Sequence, residues 1–274
     1  AVQRTLAVIA DVVRRYDVDG VHLDDYFYPY PIAPPAGAIV KPGEIKESLD
    51  FPDEPSWKIY RTTGGQLNRA DWRRQNVNSL VEQLHRTVHA IKPTVKFGLS
   101  PFGLGRPDRR PPGIAGFSQY DQLYADVEHW IERGWMDYLT PQLYWPAAAT
   151  AQSFPVLLDY WAQQINGRFH LWPGLFTSRI NATPQSWSVG EITQQIAGAR
   201  AQSVTSGHVH FSMVALLQDR HGISTLLQTA AYAQAALVPT SPWLDAVAPR
   251  APKLKALSAG NIMITPAAGK PVAH

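Results

Sequence analysis

Five short apolar stretches, each followed by a segment of helical periodicity, set the limits on what this 274-residue chain can fold into. The chain opens inside an amphipathic helix, with Val2, Leu6, Ile9, Val13 and Tyr16 recurring on one side. Strands are predicted at 18–24, 95–100, 138–144, 169–174 and 208–213. Helices are predicted between and after them, at 68–91, 119–133 and 153–165, from Ser188, and finally to about Leu237. Asn68 with Asp71, and Ser188 with Glu191, have the spacing of capping boxes. Alternation of this kind builds a parallel α/β sheet. The stretch between the first strand and its helix, 27–68, is rich in Pro, Gly and aromatics and longer than an ordinary connection, as functional loops are.

Alternation within the strands separates a barrel from an open sheet. Val21 and Leu23 share one face, leaving His22, Asp24 and Tyr26 on the other. Phe97 and Leu99 oppose Gly98 and Ser100, Leu139 and Leu143 oppose Thr140, Gln142 and Tyr144, and Val209 and Phe211 oppose His208, His210 and Ser212. A sheet covered by helices on both faces reads as continuous apolar runs. Here one face suits helices and the other converges as a polar lining, the arrangement at the mouth of a TIM (β/α)8 barrel. Five strands do not close such a barrel. Residues 1–238 are therefore expected to be its C-terminal five-eighths, strands four to eight with their helices, and an open five-stranded sheet is the alternative. A Pro-rich linker is expected at 239–252 and the start of a small β segment at 253–274.

Composition narrows the function. The net charge is +3 and the basic residues are scattered, so there is no footprint for nucleic acid. The chain contains no Cys, which removes disulfides, thiolate nucleophiles and Cys-ligated metals. No run of residues has the length and apolarity of a membrane span, and the first residues lack a signal-peptide pattern. Nine Trp in a chain 11% aromatic supply flat rings of the kind that stack on sugars, although core packing accounts for many of them.

Glycosidic cleavage generally uses two carboxyl groups. Asp24 and Asp25 end the first strand, where a barrel presents its chemistry. Strand parity puts Asp24 on the lining face and assigns Asp25 to a loop cap or to orienting a neighbour. No other strand end is acidic. Asp53, Glu54 and Asp108 lie in loops, and Asp137 stands at the start of its strand, the stability end of a barrel. The partner of Asp24 is thus expected in a loop or before Ala1. Sugar contacts are expected from Tyr26, Tyr28, Gln142, Tyr144, Trp145 and Trp172, with His22, Ser100 and His210 as further lining. Arg106 is a candidate for a substrate carboxylate. His22, His208 and His210 raise a metal-dependent alternative, but no metal or other cofactor is expected.

The run from Asp17 through Asp19-Gly20-Val21-His22-Leu23-Asp24-Asp25-Tyr26 to Pro31 resembles the signature of the glycosyl-hydrolase-like family ten barrels. The likeness continues through Asp71–Val77, Lys96–Gly103, Tyr120–Asp126 and Asp137–Trp145, and covers about residues 1–235. It implies an envelope, periplasmic or secreted enzyme that cleaves glycan strands, in the best understood cases peptidoglycan stripped of stem peptides, with cell-division partners possible. It also implies three preceding barrel strands. This sequence departs from the pattern at Gly105, where a Trp commonly stands, and at Ser212-Met213-Val214, which lacks a charged residue some members carry. A weaker similarity runs to family-eighteen chitinases, whose acid position is occupied by Tyr26. The resulting expectation is a glycoside hydrolase acting on β-linked amino-sugar glycan. A catalytically inactive glycan-binding barrel is the second reading and a metal-dependent hydrolase the third.

Overall fold

The structure is a computed structural model that describes residues 2–33, 48–247, 251–256 and 262–265. Parts of the expected long loop (34–47), of the linker (248–250) and of the C-terminal segment (257–261 and 266–274) lie outside the described residues.

Helix α1 (Val2–Arg15) leads into β1 (Gly20–Leu23). Helices α2 (Glu54–Thr62) and α3 (Arg69–Ile91) follow, then β2 (Lys96–Leu99), α4 (Gln119–Gln122), α5 (Val127–Arg133) and β3 (Tyr138–Leu139). Helix α6 (Phe154–Ile165), β4 (His170–Leu171), β5 (Gly174–Leu175), α7 (Val189–Ala201), β6 (Val209–His210), α8 (Met213–Leu217) and α9 (Ile223–Thr229) complete the succession. Strands β1 to β4 pair in chain order, all parallel, and β5 pairs parallel with β6. Bridges from Gln142 to Gly174 and from Leu171 to Thr205 join the two sets. Sequential parallel strands with helical crossovers are five consecutive βα units of a (β/α)8 barrel.

The helix-facing row follows the expected alternation. Phe97, Leu99, Leu139, Leu143, Leu171 and Leu175 are all fully buried, in one core with Val81, Leu84 and Val88 of α3, Trp130 of α5, Leu157 and Trp161 of α6, and Ile192 and Ile196 of α7. On the opposite face, His22, Gly98, Tyr138 and His170 stand in register across β1 to β4. The Tyr138 ring lies across β2, and a Cβ on Gly98 would sit 2.0 Å from it. Gly98→Val is therefore expected to destabilise the fold by about 1–3 kcal/mol, read as a lower urea midpoint at unchanged m-value.

The last strand inverts the expected faces. Val209 pairs with Gly174 and His210 with Leu175, so His210 shares the side of a helix-facing leucine. His210 is held there by Thr177 Oγ1 at 2.6 Å and Tyr232 OH at 2.7 Å, with His208 on the same phenol at 2.5 Å. Val209 and Phe211 take the lining side.

Several elements are shorter than periodicity suggests, for local reasons. Pro141 and Pro173 each remove a ladder donor, splitting the strands expected at 138–144 and 169–174. The helix expected over 119–133 breaks at Tyr124, whose φ is 54°, before α5 ends at Gly134 with φ 66°. The final helix breaks at Asp219, whose carboxylate accepts from the Ser224 and Thr225 amides at 2.6 and 3.1 Å. Asn68 caps α3 as expected, accepting from the Asp71 amide at 2.9 Å. Ser188 makes no cap bond; Glu191 instead accepts from the Ala147 amide at 2.8 Å.

The expected loop at 27–68 contains α2, which packs Trp57 and Tyr60 against Trp72 of α3. A clasp fastens this excursion to the barrel. Buried Arg73 donates from Nε and Nη2 to Asp53, both at 2.8 Å, and from Nη1 to Tyr124 OH at 2.6 Å, with Asp50 also 2.8 Å away. At the opposite end of the strands, the first part of the Pro-rich segment docks against the barrel. Ser241 Oγ is 2.9 Å from His170 Nε2, and Trp243 Nε1 donates to Asp137 Oδ1 at 3.1 Å. Beyond it, β7 (Lys253–Ala256) and β8 (Ile262–Thr265) pair antiparallel.

Candidate active site

β1 ends at Leu23, and the chain then turns, with the Phe27 amide donating to the Asp25 carbonyl at 2.9 Å. Strand parity therefore no longer applies at Asp24 and Asp25, and both carboxylates line one cavity of about 190 Å³. Tyr26, Tyr30, Gln142, Tyr144 and Phe211 complete its walls. It lies at the C-terminal ends of the strands, where barrels carry their chemistry.

Gln142 organises the floor. Its Nε2 donates to Asp24 Oδ1 at 2.8 Å and to the Ser100 carbonyl at 3.0 Å, which ties the ends of β1, β2 and β3 together. Ser100 is buried, and its hydroxyl donates to the Thr140 carbonyl at 3.0 Å, so it supports Gln142 from below. Asp24 Oδ1 also accepts the Asp25 amide at 3.0 Å. The two aspartates differ in surroundings. Asp24 is exposed to the cavity, whereas Asp25 is 4% exposed and accepts a hydrogen bond from the Tyr30 hydroxyl on Oδ2. Burial pushes the Asp25 carboxyl up, the Tyr30 hydroxyl pulls it down, and the neighbouring Asp24 charge pushes it up again; the balance is above the usual carboxylate range. Burial also raises the Tyr144 phenol, with the two aspartates adding to it, so Tyr144 is a neutral hydrogen-bonding group.

The structure brings Asp24, Asp25, Tyr26, Gln142 and Tyr144 together, with Ser100 beneath Gln142, and places the remaining expected residues elsewhere. His22 stacks on Tyr138, its Nδ1 3.1 Å from the phenol. Trp172 packs against the same ring at 4.5 Å between centroids and donates to Ser206 Oγ at 2.9 Å. Trp145 rests against Phe102, and Tyr28 is wedged between Phe51 and Tyr124 beside the Arg73 clasp. Arg106 lies over the Tyr120 ring at 4.2 Å and is hydrogen-bonded to Asp108 at 3.1 Å, so its charge is already paired within the loop. His210 is turned away by the face inversion, and His22, His208 and His210 do not assemble into a metal-binding group.

The loop carboxylates are committed too: Asp53 to Arg73 and Arg69, Glu54 to Arg69, and Asp108 to Arg106. The carboxyl group beside Asp24 in the cavity is Asp25. Tyr30 and Phe211 are cavity residues that sequence reasoning missed. Tyr30 continues the aromatic run after Asp25, and Phe211 was hidden by the parity of the last strand. At Gly105 the phenol of Tyr160 occupies the space beside the backbone, its hydroxyl 2.3 Å from where a Cβ would stand, so Tyr160 fills the place that a larger side chain there would need.

Residues 2–188 match the family described as Glycosyl hydrolase-like 10. The chain belongs to this family. Among curated proteins it is similar to Glycosyl hydrolase YngK of Bacillus subtilis, at 41% identity over 253 residues, 90% of this chain and 47% of that protein. It is also similar to Glycosyl hydrolase DigH of Escherichia coli K12, at 37% identity over 163 residues, 58% of this chain and 33% of that protein. The chain thus spans about half, or less, of the length of the curated relatives it matches. Among solved structures, the catalytic domain of beta-amylase from Paenibacillus polymyxa superposes with a TM-score of 0.55 at 11% identity, covering 86% of this chain and 69% of that one. That likeness shows the shared barrel fold.

Proposed function

We propose that this glycosyl hydrolase-like 10 chain carries the catalytic carboxylates of a glycosidase acting on β-linked amino-sugar glycan, with peptidoglycan glycan strands as the substrate. The observation that carries the reading is a buried carboxyl with a raised pKa beside an exposed one, in a single cavity at the C-terminal ends of barrel strands. Two carboxyl groups held in unlike environments divide acid and base work between them. Asp25, kept protonated to higher pH, is the proton donor to the glycosidic oxygen. Asp24, oriented by Gln142, is the carboxylate that supports positive charge at the anomeric carbon. Gln142 and Tyr144 supply hydrogen bonds for hydroxyl and acetamide groups, and the exposed Tyr26 ring supplies a stacking face.

The family resemblance supports peptidoglycan as substrate and an envelope or secreted location. No helix among the described residues is long and apolar enough to cross a membrane. Tyr30 tests the assignment of Asp25. Its hydroxyl favours the ionised carboxylate, so Tyr30→Phe lets Asp25 hold its proton to higher pH. The basic limb of the kcat/KM profile is expected to move up by about one pH unit. An unmoved basic limb would take the acid role away from Asp25.

A further inference from the structure

At the opposite end of the barrel, two histidines one helical turn apart on α3 face the carboxylate of Asp137. The rings of His85 and His89 lie 4.3 Å apart, and His89 Nε2 is 2.9 Å from Asp137 Oδ2. One ligand atom from each of the three residues lies within 4.8 Å of the other two, the only such group among the described residues. We propose that His85, His89 and Asp137 form a binding site for a divalent transition metal, with zinc as the best match, which fastens α3 to the start of β3.

The donor set is two imidazoles and a carboxylate, which suits zinc and its borderline neighbours rather than calcium or magnesium. Spacing of four residues on a helix puts both rings on one face, and a strand start supplies the third ligand. The carboxylate is already oriented. Asp137 is 1% exposed, with Oδ2 accepting the Phe97 amide at 2.7 Å and Oδ1 accepting Trp243 Nε1 at 3.1 Å. The Phe97 amide and the Trp243 indole thus hold the ligating carboxylate in place. His85 is the third donor of the group. It sits half-buried beside Phe97, and among the described residues neither ring nitrogen has a hydrogen-bond partner. A cation seated between His89 Nε2 and Asp137 Oδ2 takes the place of the hydrogen bond they make, and His85 closes the third side. The group lies at the strand starts, away from Asp24 and Asp25, so the metal acts on stability rather than on glycan.

The test uses the complete protein, stripped with chelator and titrated with Co²⁺, then with Zn²⁺ in competition. One Co²⁺ per chain with the strong visible absorption of tetrahedral cobalt is expected. Saturating Zn²⁺ is expected to raise Tm by about 5 °C. Altering an outer-shell partner already weakens metal sites by about 10–100-fold, so His85→Ala is expected to cost at least about a hundredfold in affinity. His85→Ala also loses the packing of the ring on Phe97 and His89, so its metal-free Tm is measured beside its affinity and the titration is run well below that Tm, which keeps the variant informative. A double variant, His208→Ala with His210→Ala, should bind as wild type. Absence of a tetrahedral cobalt spectrum, affinity unchanged in His85→Ala, or binding lost only in the double variant would each overturn the site.

Discussion

Asp24→Asn is expected to lower kcat for glycan cleavage by about a thousandfold or more while leaving Tm within about 1 °C of wild type. The two halves of that expectation come from different observations. Asp24 is exposed, and its partners are a side-chain amide and a neighbouring backbone amide, both of which an Asn carbonyl can still satisfy. The fold therefore has little to lose. The chemistry has much to lose, because Asn carries no charge to set against a developing oxocarbenium ion. Asp25→Asn is expected to reduce kcat as well, but by removing the proton donor. Substrates with an activated leaving group, which need no protonation, should recover most of the rate in Asp25→Asn and none in Asp24→Asn. Steady-state kinetics on both substrate types, with calorimetry on each variant, checks the set.

Arg73→Met is the largest expected loss of stability, about 3 kcal/mol or more. Arg73 is 3% exposed and serves Asp53, Asp50 and Tyr124 at once. Burial by itself would raise the Asp53 carboxyl, but the hydrogen bonds and charges of Arg73 and Arg69 hold it below the ordinary carboxylate range. Methionine fills the volume and leaves Asp53 buried with Arg69 alone, and breaking a buried pair by removing one partner costs about 3–5 kcal/mol. Because the folded Asp53 pKa is depressed, its contribution is present above the unfolded value and lost as pH falls through the folded one. The difference between wild type and Arg73→Met in urea unfolding should therefore be full at neutral pH and shrink in acid. The clasp anchors Tyr28 and the start of the excursion that carries Tyr30, so the variant should also disturb the pH profile.

The barrel was legible because strand alternation is a strong signal when one face meets helices and the other meets a lumen. Phe97, Leu99, Leu139 and Leu143 fall on the buried side for that reason. Parity failed wherever the chain left regular strand geometry. It separated Asp24 from Asp25, although the chain turns directly after Leu23, and it aimed His210 at the lining although the register with Leu175 turns it outward. The Asp53–Arg73 clasp and the docking of Trp243 on Asp137 join residues 20 and 106 positions apart, and no local pattern announces such contacts. Arg106 shows the same blindness from another side. A basic residue in a loop reads as available, and here Asp108 and Tyr120 have already claimed it.

The most direct test is chromatography of products after the complete protein is incubated with purified, peptide-free glycan strands. New reducing ends are expected with wild type, none with Asp24→Asn, and continued binding of the strands by that variant. Strands bound by wild type but left uncut would contradict this expectation and favour a glycan-binding barrel without catalysis. Cleavage that survives both Asp24→Asn and Asp25→Asn would move the chemistry away from this cavity altogether.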